Sequence, residues 1–539
     1  MQPPENPQPL TPPPFLTPPP RATLTNTFVR AFDNSVAAAR TCYAPRVIST
    51  EEVAKDERAR TVRDRIARET YTAGHHTTLQ HAHFQFAIEN VSRQLLWSFL
   101  HAHPFYNSEQ VSQRYVEVRA GSALVPNLPP AQLALYQRTL ERQFFGYHAI
   151  AEILSPVVEE AYFELFPGRR KQREQWVGQI KKRAQEVARY LLPIATFAHL
   201  YHTVSGLTLH RYHRLSKSLD VGDEQRLLID AMIEAVGAQD PLFFRDLEDP
   251  LPLEETPEFK ILVNQDHGRG NPEAVGGERA RAFAREFDAE LGPWRSKLVD
   301  YKIHAEESLA QGVRSSLGLS RDLLSDDEAI ARILSPSENK LFAESLTLTT
   351  LSKSSRALGH PHYTFQKKLS HSADSQDQRH RMTPASRPVL STQYAGGEPD
   401  AIVPDLVQHC PQALDLYNEI LRETFAAVDA LLDGGVQPAL ALYLLPNAFP
   451  IRFEESGDLL HLHHKWTSRL CYTAQEEIWR ASVDEVKQVR EVHPRIGKHL
   501  MPPCTLRAAA GVRPTCPEGK RFCGVPVWRL QLDDYRRVL

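Results

Sequence analysis

The chain has 539 residues, too many for one hydrophobic core and enough for two domains or more. Its 63 lysine and arginine residues against 66 acidic residues exclude a general nucleic-acid coat and a polybasic membrane tether, since both need a basic excess. No run of about 18 apolar residues occurs, which argues against a membrane span. Six cysteines do not make a disulfide scaffold in a chain of this length, so the cytoplasm is the expected compartment.

The amino terminus is dominated by proline. Ten of the first twenty residues are proline, a composition that favours extended polyproline II structure and cannot bury a core. The same residues lack the basic start and the apolar stretch of a signal peptide. We therefore expect residues 1–21 to be a disordered tail, with a proline-rich docking peptide as the alternative.

The chain contains an internal repeat, visible at three places in the same order. Residues 81–86 match 360–365, residues 133–144 match 414–425, and residues 191–193 match 444–446. Three matches in one order indicate two diverged copies of a single domain. The predicted copies span residues 22–260 and 310–539, the second with a cysteine-containing C-terminal extension. The polar region 261–309 is predicted to link them.

Each copy is predicted to be α+β, a sheet packed against long helices. The partial alternation of residues 81–88, which are rich in phenylalanine, predicts a half-buried strand. An apolar stripe along residues 177–192 predicts a helix that Pro193 ends. A second strand is predicted over 363–369, and further helices over 414–432 and 474–486.

Two polar segments have the residue types that bind anions. The first is a loop containing Ser112, Gln113 and Arg114, and the second contains Gln376 and the triplet Arg379-His380-Arg381. Hydroxyl, amide and guanidinium groups on a short segment suit recognition of a phosphate or carboxylate. Taken alone, arginine clusters are usually solvated surface, and a histidine on a strand is more often a satisfied core residue.

In combination, these segments resemble the flavin-dependent thymidylate synthases. That family carries the signature Arg-His-Arg, a short spacer, then Ser-x-Arg-Tyr. The second copy has the triplet as Arg379-His380-Arg381, and the first copy has the sequence Ser112-Gln113-Arg114-Tyr115. Further similarity lies in residues 39–43, 188–193 and 446–478.

The resemblance implies a reaction and a set of site residues. The family methylates dUMP at C5 with methylenetetrahydrofolate, and FAD reduced by NADPH delivers the hydride, so the protein mainly orients its ligands and stabilises charge. The implied catalytic residues are Ser112, Arg379 and Arg469. The implied FAD contacts are His81, His360, Arg379, His380 and Arg381. The implied dUMP contacts are Gln376, Ser112, Gln113, Arg114, Arg189 and Arg469. No metal is implied.

Neither copy matches the family completely. The first copy has His101-Ala102-His103 at the triplet and serine at Ser205 and Ser216, while the second has Leu442 and Asp458 at two family positions and a shortened loop over residues 382–388. Because the gaps are partly complementary, we expect composite sites across the copies, formed either within one chain or in a dimer. A homodimer would then imitate the family's tetramer, with dUMP as its ligand and neither a nucleic-acid polymer nor a membrane as partner.

Two other functions remain open. Asp458 and Ser205 stand where the family has flavin-contacting amides, and a carboxylate facing a pyrophosphate is repulsive. This favours a degenerate paralogue that binds flavin or nucleotide without methyl transfer. A non-catalytic scaffold that docks through its proline-rich tail is the other alternative.

The C-terminal cysteines pose a separate question. Cys504, Cys516 and Cys523, with His493 and His499 upstream, have the ligand types of a zinc site, but the spacing lacks a CxxC knuckle. Reduced, partly buried thiols are the default interpretation.

Overall fold

The computed structural model describes residues 13–101, 105–219, 221–264, 277–344, 352–537 and 539. The strands are β1 Arg21–Thr27, β2 His83–Ser92, β3 Tyr106–Gln110, β4 Phe197–Ser205, β5 Ser296–Tyr301, β6 His362–Ser370 and β7 Pro450–Asp458. The helices before residue 265 are α1 Ala31–Thr41, α2 Thr50–Ala54, α3 Glu57–Thr72, α4 Arg93–His101, α5 Pro130–Leu165, α6 Val177–Ala188, α7 Gly206–Arg214, α8 Gly222–Gln239 and α9 Pro257–Asn264. The later helices are α10 Glu278–Leu291, α11 Ala305–Leu317, α12 Asp326–Leu334, α13 His371–Asp377, α14 Asp405–Gln408, α15 Pro411–Asp433, α16 Pro438–Ala441, α17 Leu459–Arg469, α18 Glu476–Val492, α19 Pro494–Gly497 and α20 Pro503–Ala509.

The chain divides into two compact units. The first comprises the described residues of Met1–Phe145, Leu192–Val275 and Arg422–Leu445, and the second those of Gly146–Leu191, Gly276–Leu421 and Pro446–Leu539. The long helices α5 and α15 each begin in one unit and end in the other. Each unit therefore contains a segment from the opposite copy.

The first unit contains a four-stranded antiparallel sheet in the order β1-β2-β4-β3. Phe84, Phe86 and Ile88 of β2 are buried, because alternate side chains of a strand point to the same face. They pack with Leu200 and Val204 of β4 and with apolar residues of α4, α7 and α8 in one core. The predicted half-buried strand is confirmed.

The second unit contains a three-stranded antiparallel sheet in the order β5-β6-β7. Its central strand β6 buries Tyr363 and Phe365 in a core with Trp466 of α17. After α13 the described chain makes only an isolated bridge, between Ala385 and Glu455, where the first unit has β3. The shortened loop of the second copy leaves too few residues for a strand there.

The other predicted elements are also present. α6, α15 and α18 lie within or around the predicted helical ranges, and α6 ends in a 3₁₀ turn, Arg189–Leu191, before Pro193. The mixture of helices and sheets agrees with the predicted α+β class. No helix of the described ranges is long and apolar enough to cross a membrane.

The predicted tail 1–21 and the predicted linker 261–309 both include residues that pack or form secondary structure in the fold. Within the predicted tail 1–21, Phe15 is buried and Leu16 N donates to Val125 O at 2.9 Å, so the end of that segment packs on the first unit. Residues 1–12 lie outside the described residues. The region predicted as a linker, 261–309, includes α10 and β5, and β5 is an edge strand of the second sheet.

Candidate functional site

The second unit places the Arg-His-Arg triplet beside Arg469. Ser370 Oγ caps α13 by accepting from Ala373 N at 3.0 Å, and the triplet lies in the turn that follows this short helix. Arg469 ends α17. Its Nε donates to His380 Nε2 at 2.9 Å and its Nη2 donates to the Gln376 carbonyl at 3.1 Å. The guanidinium of Arg469 is therefore held in one orientation.

His380 is a neutral acceptor in this arrangement. Burial lowers its pKa well below the usual value, and the positive charges of Arg469 and Lys465 lower it further. Because Arg469 donates to Nε2, the proton of the neutral imidazole is on Nδ1. The histidine orients the arginine without adding charge.

A hydrogen-bonded chain connects the triplet with a tyrosine of the first copy. Gln376 Nε2 donates to Gln475 Oε1, and Gln475 Nε2 donates to Tyr190 Oη at 2.6 Å. Tyr190 Oη donates to Glu477 Oε2 at 2.6 Å, and Ser370 donates to both oxygens of Glu477, from N and from Oγ, at 2.6 Å each. Both ends of α13 are thus tied to one buried carboxylate.

Arg189 precedes this tyrosine and is buried. Asn447 Nδ2 donates to the Arg189 carbonyl at 3.0 Å, and Ala448 N donates to the Tyr190 carbonyl at 2.9 Å. Residues from both copies therefore meet within the second unit. Of the predicted site residues, the turn after α13 and the end of α17 bring together Gln376, Arg379, His380, Arg381 and Arg469, in the same unit as Arg189. His360 also belongs to this unit but lies against Gly312 of α11.

A buried charge network lies beneath the triplet. Lys367 Nζ is 2.8 Å from Asp377, 2.9 Å from Glu455 and 3.0 Å from Glu485. Lys465 Nζ is 2.9 Å from Asp377 and also contacts Glu455. Neutral groups also donate hydrogen bonds to these carboxylates. Thr383 Oγ1 donates to Glu455 at 2.9 Å. Trp466 Nε1 and Ser296 Oγ donate to Glu485 at 2.6 Å and 2.8 Å.

Asp377 and Lys367 keep their charges although they are buried. Burial opposes ionisation of Asp377, but Lys367 and Lys465 hold its pKa well below the usual value. Burial likewise opposes the charge of Lys367, and the three carboxylates hold its pKa well above its usual value. The network fixes the turn that carries the triplet, because Asp377 is the last residue of α13.

The remaining predicted residues lie elsewhere. Ser112, Gln113 and Arg114 form a turn of the first unit, in which Arg114 N donates to Ser112 Oγ at 3.3 Å and the Arg114 guanidinium lies 5.4 Å from the Tyr115 ring centre. His81 is an exposed residue of the first unit. In the second copy the corresponding loop arginine, Arg387, is buried in a two-pronged contact with Asp374 at 2.8 Å, so it serves the fold.

The first unit repeats the serine–glutamate–tyrosine hydrogen bonds of the second unit, but it has no arginine at the positions of the predicted site arginines. Ser92 donates to Glu224 from N and Oγ at 2.6 Å each, and Tyr443 of the second copy donates to the same carboxylate at 2.6 Å. Burial raises the pKa of Glu224 to about 7. At the positions of Gln376, Arg379, Arg469 and Arg189, this unit has Ser98, His101, Ser216 and Leu442.

A sequence profile of the thymidylate synthase complementing protein family matches residues 23–242 and 297–495. The chain belongs to this family. Flavin-dependent thymidylate synthase of Clostridium tetani is 28% identical over 212 residues, which are 39% of this chain and 79% of the relative. That of Geobacter sulfurreducens is 29% identical over 171 residues, 31% of this chain and 70% of the relative.

The family match in two successive segments establishes two copies of the domain. Among solved structures, a Helicobacter pylori flavin-dependent thymidylate synthase in complex with FAD and dUMP aligns with a TM-score of 0.30 and 19% identity, over 42% of this chain and 99% of that chain. The family membership rests on the sequence match.

Sequence reasoning missed two groups of residues that this family member uses to build the second unit. Tyr190 and Gln475 link the copies, and the signal for Tyr190 was present, since Tyr443 stands at the same place before the matched Leu-Leu-Pro segment. Lys367 and Lys465 were also missed. A lysine at an inward position of a predicted strand is a signal for a buried ion pair.

We expect Tyr190→Phe to lower the free energy of unfolding by about 1–3 kcal/mol, because it leaves the buried Nε2 of Gln475 without a partner and removes one of the hydrogen bonds to Glu477. Tyr443→Phe should cost a similar amount through Glu224. Urea denaturation of the full chain measures both. Tyr43→Phe, at an exposed tyrosine, is the control and should have no effect; a neutral Tyr190→Phe would contradict the role of the hydrogen-bonded chain.

Lys367→Met should lower the free energy of unfolding by about 3–5 kcal/mol, because it leaves buried carboxylates uncompensated. The lowered pKa of Asp377 also stabilises the wild type above the ordinary aspartate value of 3.8, and this contribution disappears as the pH falls through the lower folded value. Acid unfolding followed by circular dichroism should therefore begin at a higher pH in Lys367→Met. Unchanged acid unfolding would show that the pair does not control Asp377.

Proposed function

We propose that the chain binds FAD and dUMP and methylates dUMP to dTMP, with methylenetetrahydrofolate as carbon donor and NADPH as reductant. The observation that supports this proposal is that the second unit holds Arg469 against His380 and Gln376 and connects them to the segment of Arg189. This supports a nucleotide site because guanidinium groups bind phosphate through paired hydrogen bonds. A prepositioned arginine also loses less entropy on binding.

In this proposal each side chain has a defined task. Arg379, Arg469 and Arg189 bind the phosphate and carbonyl oxygens of dUMP, and Gln376 orients the pyrimidine through its amide. The neutral His380 keeps Arg469 in place. FAD, when bound, supplies the hydride for the reaction. The protein contributes orientation and charge stabilisation rather than a nucleophile.

The residues of the second unit fit a flavin nucleotide. His360 and Arg379 are exposed and Arg381 is partly exposed, so cationic and imidazole donors for a diphosphate are accessible. Gly457 lets the turn after the triplet approach β7, since a Cβ there would lie 3.0 Å from Thr383 Cγ2. Asp458 Oδ1 is engaged by α17, since it accepts from His461 N at 3.0 Å and lies 2.8 Å from His461 Nδ1.

We also propose one working site per chain. The first unit keeps the Ser92–Glu224–Tyr443 scaffold but has none of the arginines at the corresponding positions. Ser112, Gln113 and Arg114 would then complete the second unit's site from another copy of the chain. A homodimer with two working and two lost sites would imitate the family's tetramer.

Arg469→Ala should weaken dUMP binding about 10- to 100-fold, the loss expected for one charge-assisted contact. Calorimetric titration of the FAD-loaded full chain measures this, and the wild type should bind one dUMP per chain. Ser216→Ala, at the corresponding position of the first unit, is the matched control and should bind like wild type. Equal affinity of Arg469→Ala and wild type would contradict the site.

The contribution of the first unit and the reaction itself need separate tests. Arg114→Ala should weaken dUMP binding as Arg469→Ala does; unchanged binding would remove Arg114 from the composite site.

For the reaction, radiolabelled dUMP is incubated with FAD, NADPH, methylenetetrahydrofolate and the wild-type chain. Formation of dTMP supports the synthase, whereas tight dUMP binding without dTMP supports the degenerate paralogue.

A further inference from the structure

Four of the six cysteines line one small cavity in the second unit. Cys471 follows the end of α17, Cys504 lies in α20, and Cys516 and Cys523 belong to the C-terminal segment. The cavity measures about 10 Å³, close to the space of one water molecule. Residues that are distant in sequence thus converge on a centre of the size of a single ion.

The four cysteines come from different parts of the second unit, namely the residues after α17, α20 and the C-terminal segment, and all four line the same cavity. A divalent ion binds cysteine as the thiolate, and four thiolates are a common ligand set of Zn²⁺.

Two glycines shape the backbone beside Cys516 and Cys523. Gly519 and Gly524 are both at positive φ, which glycine adopts without a steric penalty. Both cysteines line the cavity next to these turns.

The C-terminal segment also lacks a core of its own. After α20 its regular structure consists of three single 3₁₀ turns, Gly519–Arg521, Val527–Arg529 and Leu532–Asp534. Its buried apolar side chains Val527, Leu532 and Tyr535 pack into the core of the second unit. A metal held by cysteines is a further way to fix a segment with so little regular structure, and all six cysteines are free thiols.

We propose that Cys471, Cys504, Cys516 and Cys523 bind a thiophilic metal through four thiolates and so fasten the C-terminal segment to the end of α17. Four thiolates are a ligand set of Zn²⁺, and an iron–sulfur cluster uses the same ligands. His493 is not a ligand, because its Nδ1 is 3.1 Å from Tyr363 Oη. Neither His493 nor His499 lines the cavity.

Ligation requires the sulfur atoms to turn inward. Within the described ranges, no three His, Cys, Asp or Glu side chains are arranged to hold a metal as they stand. Cys471 Sγ is 3.2 Å from Thr473 Oγ1 and Cys523 Sγ is 3.5 Å from Val525 O. Rotation about the Cα–Cβ bonds exchanges these weak contacts for metal–sulfur bonds.

The test is metal analysis of the full chain, purified without chelator and with reductant. We expect about one zinc per chain, lost in Cys504→Ser and Cys516→Ser and retained in the control Cys410→Ser. In the wild type, titration with a mercurial should release the zinc to a colorimetric chelator as four thiols react, which does not depend on any variant folding. Neither readout uses FAD or dUMP.

The other outcomes are distinguishable. Iron and sulfide with visible absorption, lost in the same variants, would support the four-thiolate site and overturn its assignment to zinc. A protein without stoichiometric metal, or one whose metal content is unchanged by Cys504→Ser and Cys516→Ser, would overturn the proposal. So would two disulfides among these cysteines in the freshly purified protein.

Discussion

Each unit depends on a buried carboxyl group that connects the two copies of the domain. Glu477 binds the end of β6 through Ser370 and accepts a hydrogen bond from Tyr190, a residue of the other copy. Glu224 does the same with Ser92 and Tyr443. Removing a hydrogen-bond donor from a buried carboxyl group is costly, so each copy uses the tyrosine of the other. Tyr190 and Tyr443 lie in the segments that each unit takes from the opposite copy, Gly146–Leu191 and Arg422–Leu445.

Sharing one scaffold leaves the two units free to diverge in charge. In the second unit, Lys465 and Glu455 belong to a buried ionic network beneath the triplet. At the corresponding positions the first unit has Tyr212 and His202, joined by a hydrogen bond of 3.2 Å. The ionic network of the second unit orders a turn rich in arginine. In the first unit, Tyr212 and His202 are aromatic rings that pack with Phe99. This difference favours specialisation of one unit for ligand binding.

Two departures from the family pattern have a simple structural cause. Asp458 and Ser205 begin α17 and α7, and each accepts a hydrogen bond from the backbone three residues later. Aspartate, serine and asparagine all cap helices, so these substitutions preserve the helix start. In a sequence comparison they look like lost site residues, because the comparison shows that the amide side chain is missing but not that the helix cap is retained.

The two copies, the mixed fold and the principal strands and helices could be predicted from the sequence, because hydrophobic periodicity and repetition are local properties of the chain. The family resemblance also predicted that Gln376, Arg379 and Arg469 belong to one site. The contact of Tyr190 with Glu477, the ion pair of Lys367 with Asp377, and the cavity that Cys471 shares with Cys504, Cys516 and Cys523 emerged only from the folded structure. These pairings join residues far apart in sequence, and burial decides them, since a polar group removed from water needs whichever partner the fold brings to it.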